Sequence, residues 1–121
     1  MFTRREAAIR LDIPVEMAQR HGIPATMREA ELAAIEADPP AWLVQSRANR
    51  RADARPVWVR LECVVCGLTE WERPKKWWPR LSAVVCDRHD PSEPPRRAAG
   101  TVRAEVEGIG SRFVGIVDSP A

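Results

Sequence analysis

No apolar run in this chain approaches the ~20 residues needed to cross a membrane, and the opening MFTRREAAIR carries charges where a secretory leader needs its apolar stretch. A cytoplasmic protein without a membrane partner is expected. Cysteine is scarce and odd in number, three in 121 residues, which argues against a closed disulfide framework and, in a reducing compartment, for metal binding or catalysis. A dominant charge is also missing: 19 Lys and Arg stand against 17 Asp and Glu. Any affinity for nucleic acid must therefore rest on local clustering. The chain has room for one modest domain or two very small ones, and a small one buries too little apolar surface without a staple.

What is present begins with helix signals. Thr3 as N-cap, Glu6 three residues on and Phe2 poised against Ala7 open a helix that buries Ala7, Ala8 and Leu11. It should stop near Asp12, because Pro14 disfavours helical geometry at Ile13. A second helix, Pro14 to His21, ends at Gly22. Thr26 and Glu29 repeat the capping-box spacing and predict a third helix, with Ala30, Ala33, Ala34 and Ala37 on one face and Leu32 and Ile35 on an adjoining one. Pro39 and Pro40 break it, and Trp42 opens a fourth, AWLVQSRANRR. There Arg47, Arg50 and Arg51 fall at i, i+3 and i+4 and would share a face, either a solvated helix end suited to the dipole or a phosphate-contacting surface.

Beyond Arg55 the period changes. PVWVRLEC alternates, with Val57, Val59 and Leu61 on one side and Trp58, Arg60 and Glu62 on the other, which predicts a strand and a boundary near residues 52 to 56. LSAVVC is a second strand, DPSEPPRRAAG a loop or linker, and SRFVGIVDSP a short terminal strand or an ordered tail. The expected organisation is a helical region over 1–54, a small β domain over 55–92 and a linker with its terminal segment over 93–121.

Cys63, Cys66, Cys86 and His89 form C-x2-C and C-x2-H separated by nineteen residues. Zinc takes four soft or borderline ligands in a tetrahedron, and two ligands three positions apart on a tight turn can reach one ion. Gly67 follows the first pair and can take the positive φ of such a turn. All three cysteines are used, so no catalytic thiol remains. Four protein ligands leave no open coordination position, so a structural zinc is expected and no catalytic constellation is visible. His21, alone, reads as a capping or packing residue, and Gly108 and Gly110 in GIGSR lack the rest of a phosphate loop.

Through CVVCG and CDRH the chain resembles a zinc ribbon or treble-clef-like zinc knuckle domain over residues 56–92. Such modules bind DNA, RNA or protein surfaces, or support their neighbours. Through FTRREAAIRLDIPVEMAQRHGIP it resembles the helix-turn-helix of excisionase-like and mercury-resistance-regulator-type proteins. That resemblance implies a second helix in the major groove, with Glu16, Gln19 and Arg20 exposed. The Ala, Arg and Pro content resembles that of small proteins of high-GC bacteria.

WERPKKWWPR holds three of the five tryptophans and four cations. The indoles could stack on bases beside neutralised phosphates, fill a small core, or anchor a protein partner. Trp71 on a strand is expected in the core. Trp77 and Trp78 are adjacent, so extended backbone would send them to opposite faces. The reading adopted is α+β, a helix-turn-helix-like region followed by a zinc-ribbon β domain. The function expected from it is that of a zinc-binding regulator or accessory factor that binds DNA or RNA through Arg47, Arg50, Arg51, Lys75, Lys76 and Trp78. The alternative is an adaptor on the transcription or translation machinery.

Overall fold

In the computed structural model, which describes residues 1–90 and 92–121, β1 (Phe2–Thr3) leads into α1 (Arg4–Leu11) through the expected cap. The Thr3 hydroxyl accepts from the Glu6 N–H at 3.1 Å, and the Glu6 carboxylate accepts from the Thr3 N–H, so two orphan donors are satisfied reciprocally. Asp12 ends the helix in the left-handed region (φ 57°), and the Ile13 N–H closes the turn on the Ala8 carbonyl at 3.0 Å. After Pro14 comes α2 (Val15–Arg20), on which Glu16, Gln19 and Arg20 are exposed.

The second capping box does not form. Thr26 belongs to β2 (Thr26–Met27), which pairs antiparallel with β1, and Arg28 occupies the N-cap of α3 (Glu29–Ala37) without a side-chain cap bond. Pairing with Thr3 holds Thr26 extended, and the helix starts after it. Leu32 is buried and Ile35 half-buried on α3, while the alanine stripe faces solvent. Next, α4 (Ala41–Ala48) buries Leu43 and stops at Asn49, so Arg50 and Arg51 lie outside it. The three arginines therefore do not share a helical face.

Two compact units result, Met1–Trp58 and Val59–Ala121, each with its own apolar core. In the first, Leu11, Ile13, Leu32, Leu43 and Trp58 pack with Ala7, Ala8 and Met27. Trp58 closes this unit instead of opening the next strand. Its indole N–H donates to the Ile13 carbonyl at 2.7 Å, satisfying a buried acceptor at the α1–α2 turn.

The second unit is β-structured. β3 (Val59–Glu62) and β4 (Thr69–Glu72) form an antiparallel hairpin. β5 (Ala83–Cys86), β7 (Phe113–Pro120) and β6 (Thr101–Ile109) form an antiparallel sheet in the order β5-β7-β6. The C-terminal segment is thus two long paired strands joined by a tight turn carrying Gly110 at φ 66°. The loop between β5 and β6 is irregular, and Pro91 within it lies outside the described residues. Leu61, Trp78, Val84, Ile109 and Phe113 fill the core together with Cys63 and Cys86. The protein is α+β with small antiparallel sheets, and among the described residues no helix is long and apolar enough to cross a membrane.

Candidate metal centre

The turn between β3 and β4 is built by its own backbone. The Cys63 N–H donates to the Leu68 carbonyl at 2.8 Å, and the Gly67 N–H to the Cys63 carbonyl at 2.9 Å. Gly67 holds φ 77°, which an L side chain rarely adopts, so the residue type follows from the turn. The Val64 N–H donates to the Val84 carbonyl at 3.0 Å, tying the turn to β5, where Cys86 is the last residue. From there the chain turns through Asp87, whose N–H donates to the Arg112 carbonyl at 2.9 Å, and brings His89 back.

These connections gather the Sγ atoms of Cys63, Cys66 and Cys86 and a ring nitrogen of His89 within 4.8 Å of one another, an arrangement that could hold a metal ion. The Cys66 and Cys86 sulfurs lie 3.7 Å apart. A tetrahedron with metal–sulfur bonds of about 2.3 Å has an S···S edge of about 3.8 Å, so this pair is already at coordinating distance. The His89 Nε2 is buried and has no hydrogen-bond partner. Its Nδ1 lies 3.1 Å from Glu93 Oε2, which also accepts from the Asp90 N–H at 2.7 Å. With the proton on Nδ1, the Nε2 lone pair is left for a ligand role.

The electrostatics favour a cation. Burial pushes the Cys63 thiol up, but the backbone N–H groups of Cys66, Cys86 and Val65 outweigh it and bring it down to about 6. His89 lowers the Cys66 thiol, and Cys66 in turn raises His89, with Glu93 adding to the effect. The Arg88 N–H lowers Cys86, yet burial and the two neighbouring thiols carry it above its ordinary value. Anionic character therefore concentrates on Cys63 and Cys66, which suits the binding of a cation.

The residues expected to touch nucleic acid are scattered. An Arg47 guanidinium nitrogen lies 3.4 Å from the Leu11 carbonyl. Arg50 pairs with the Asp12 carboxylate and donates to its carbonyl at 2.7 Å, and Arg51 pairs with Asp53. Arg47 and Arg50 thus fasten the end of α1, where carbonyls lack helical partners. Lys75 and Lys76 are exposed. Trp78 is 6% exposed and belongs to the core, whereas Trp77 is 57% exposed, so Trp77 is the indole of the pair available for stacking. Trp71, expected in the core, is 42% exposed. Its neighbours Glu70 and Glu72 take the inner positions of β4, Glu70 meeting Arg112 at 3.2 Å, and that parity turns Trp71 outward.

His21 packs, stacked on Trp42 with ring centroids 4.4 Å apart. Two residues escaped the sequence reading. Glu93 had a usable signal, an acid four residues after the candidate ligand His89. Arg112 had none, since its partner Glu70 is remote in sequence. No protein-family model matches the chain, and no curated protein or solved structure does either.

Proposed function

We propose that this chain is a structural zinc protein whose second unit binds nucleic acid, as a small regulatory or accessory factor. The observation that carries the zinc reading is the buried, unpartnered His89 Nε2 set among three thiols, with Nδ1 held by Glu93. Cys63, Cys66, Cys86 and His89 would hold the ion. Cys63 and Cys86 are also core residues, so the ion would join the β3–β4 turn to β5 and supply cohesion that a unit this small lacks. Four protein ligands fill a tetrahedron, which suits support better than catalysis.

The nucleic-acid reading rests on the segment 73–80, where Arg73, Lys75, Lys76 and Arg80 surround exposed Trp77 and no acid intervenes. Cations there would neutralise phosphates, and the indole would meet a base. Arg47 and Arg50 hold the end of α1, and the cations beside exposed Trp77 add a second group to the reading. Affinity measured against salt tests it. Replacing Lys75, Lys76 and Arg80 with Ala should reduce the slope of log affinity on log salt by roughly 2 to 3 units, at ~0.7 to 0.9 per phosphate contact. An unchanged slope would remove the loop from the interface.

A protein-interaction adaptor is the second reading, favoured by the exposure of Trp71 as well as Trp77, since tryptophan and arginine are common anchors of protein interfaces. Retention of a protein partner after nuclease treatment of a native-cell purification would support it.

A further inference from the structure

The indole of Trp77 is exposed, yet it is not loose. It meets Trp78 edge to face, with centroids 6.5 Å apart and planes at 77°, and Trp78 is itself buried. The far edge of its six-membered ring rests over Gly108, where a Cβ would come within 3.3 Å of Cη2. Gly108 holds φ 81°, a conformation that L side chains rarely adopt, and an added Cβ would press on the indole. Pro74 and Pro79 flank the segment and restrict its backbone. The result is an aromatic platform with its orientation set in advance and cations on either side, Lys76 adjacent and Arg80 three residues on.

We propose that this platform takes single-stranded nucleic acid, with one unpaired base stacked on Trp77 and flanking phosphates met by Lys76 and Arg80. The inference rests on the nucleic-acid reading above and adds the class of strand. A closed duplex stacks its base faces on one another and offers an indole only edges and backbone. An unpaired base offers an open face, and stacking on an aromatic side chain tolerates any base. Pre-set orientation matters because little rotamer freedom is lost on binding. The positive loop also suits a polyanion better than an apolar protein patch.

The test uses the zinc-loaded chain with three fluorescent probes at low salt: oligo-dT, oligo-rU and a hairpin duplex of equal phosphate count closed by a non-nucleotide linker, so that no base is left unpaired. Tighter binding of a single strand than of the hairpin is expected. Trp77→Ala should lose roughly five- to 150-fold on that strand, the equivalent of ~1 to 3 kcal/mol for one stacked base, while Trp77→Phe recovers part of it. Zinc content and thermal melting of both variants should stay close to the parent, because much of the side chain is exposed. Hairpin binding as tight as single-strand binding overturns the inference without any variant, and if the salt slope persists the nucleic-acid reading stands. Binding of none of the three probes overturns both, leaving Trp77 as an anchor for a protein. Preference for oligo-dT or oligo-rU separates DNA from RNA within the supported outcome.

Discussion

The Nδ1 of His89 lies 3.1 Å from Oε2 of Glu93, while its Nε2 is buried without a partner. A carboxylate behind an imidazole fixes the tautomer and the ring orientation and makes the other nitrogen a better ligand. Glu93→Ala should therefore weaken zinc binding by about 10- to 100-fold in a chelator competition, with Glu93→Gln falling between. Equal affinities across the three proteins would mean that Glu93 does not support the site.

Metal removal should unfold the second unit and spare the helices. Structural zinc sites supply apparent binding energies of about 10 to 16 kcal/mol, comparable to or larger than the ~5 to 15 kcal/mol stability of an entire domain. Cys63 and Cys86 also stand in the core. Cys86→Ser, or chelation of the parent, should abolish near-ultraviolet dichroism from Trp78 while the helical far-ultraviolet signal remains. Full zinc content and unchanged melting in Cys86→Ser would refute the ligand set.

Zinc retention should fall in acid, with a break near the Cys63 value. A thiol lowered to about 6 favours its anion above that pH. Its contribution is present above the ordinary thiol range and is lost as pH falls through about 6, where protons compete with the metal. Dialysis at fixed free zinc between about pH 8 and 5 should show steepening loss below about 6. Retention that stays flat across the range would contradict this electrostatic account.

Arg50→Ala should destabilise the first unit and leave nucleic-acid affinity unchanged. The side chain pairs with the Asp12 carboxylate and donates to its carbonyl at the end of α1. The pair is partly exposed, so a loss of about 1 to 2 kcal/mol is expected in denaturant titration. A reduced salt slope without loss of stability would return this arginine to a phosphate-contacting role.

The two adjacent indoles should differ in stability and in access. Trp78→Ala removes a core aromatic and should cost about 3 to 5 kcal/mol, whereas Trp77→Ala should cost no more than about 1 kcal/mol. Trp77→Phe should remove a readily quenched share of the emission in acrylamide titration, whereas Trp78→Phe should remove a protected share. Equal protection of both would remove the presented platform.

Features with short-range causes were legible in the sequence. The reciprocal bonds of Thr3 and Glu6 need only three residues of chain, and they form. The C-x2-C turn needs Gly67 at its positive φ and closes on its own backbone, so its two thiols could be read as a pair from spacing alone. The C-x2-H pair carried the same message, and the structure adds that β5 delivers Cys86 beside it.

Where long-range partners decide, the same local signals pointed elsewhere. Thr26 and Glu29 spell a second capping box, but the ladder with β1 claims Thr26 as a strand residue. AWLVQSRANRR reads as one helix, but it ends at Ala48, and Arg50 lies against Asp12, which precedes it by thirty-eight residues. TVRAEVEGI carries no clear strand signal of its own and is held as one by its neighbour β7. Trp71 faces out because the parity of β4 follows the residues its inner positions meet, Arg112 among them. The Thr3–Glu6 cap and the C-x2-C turn close within a few residues, so the sequence by itself determined them. Strand register and the division of Trp77 from Trp78 depend on surfaces brought together only when the chain has folded, and tertiary structure decided those.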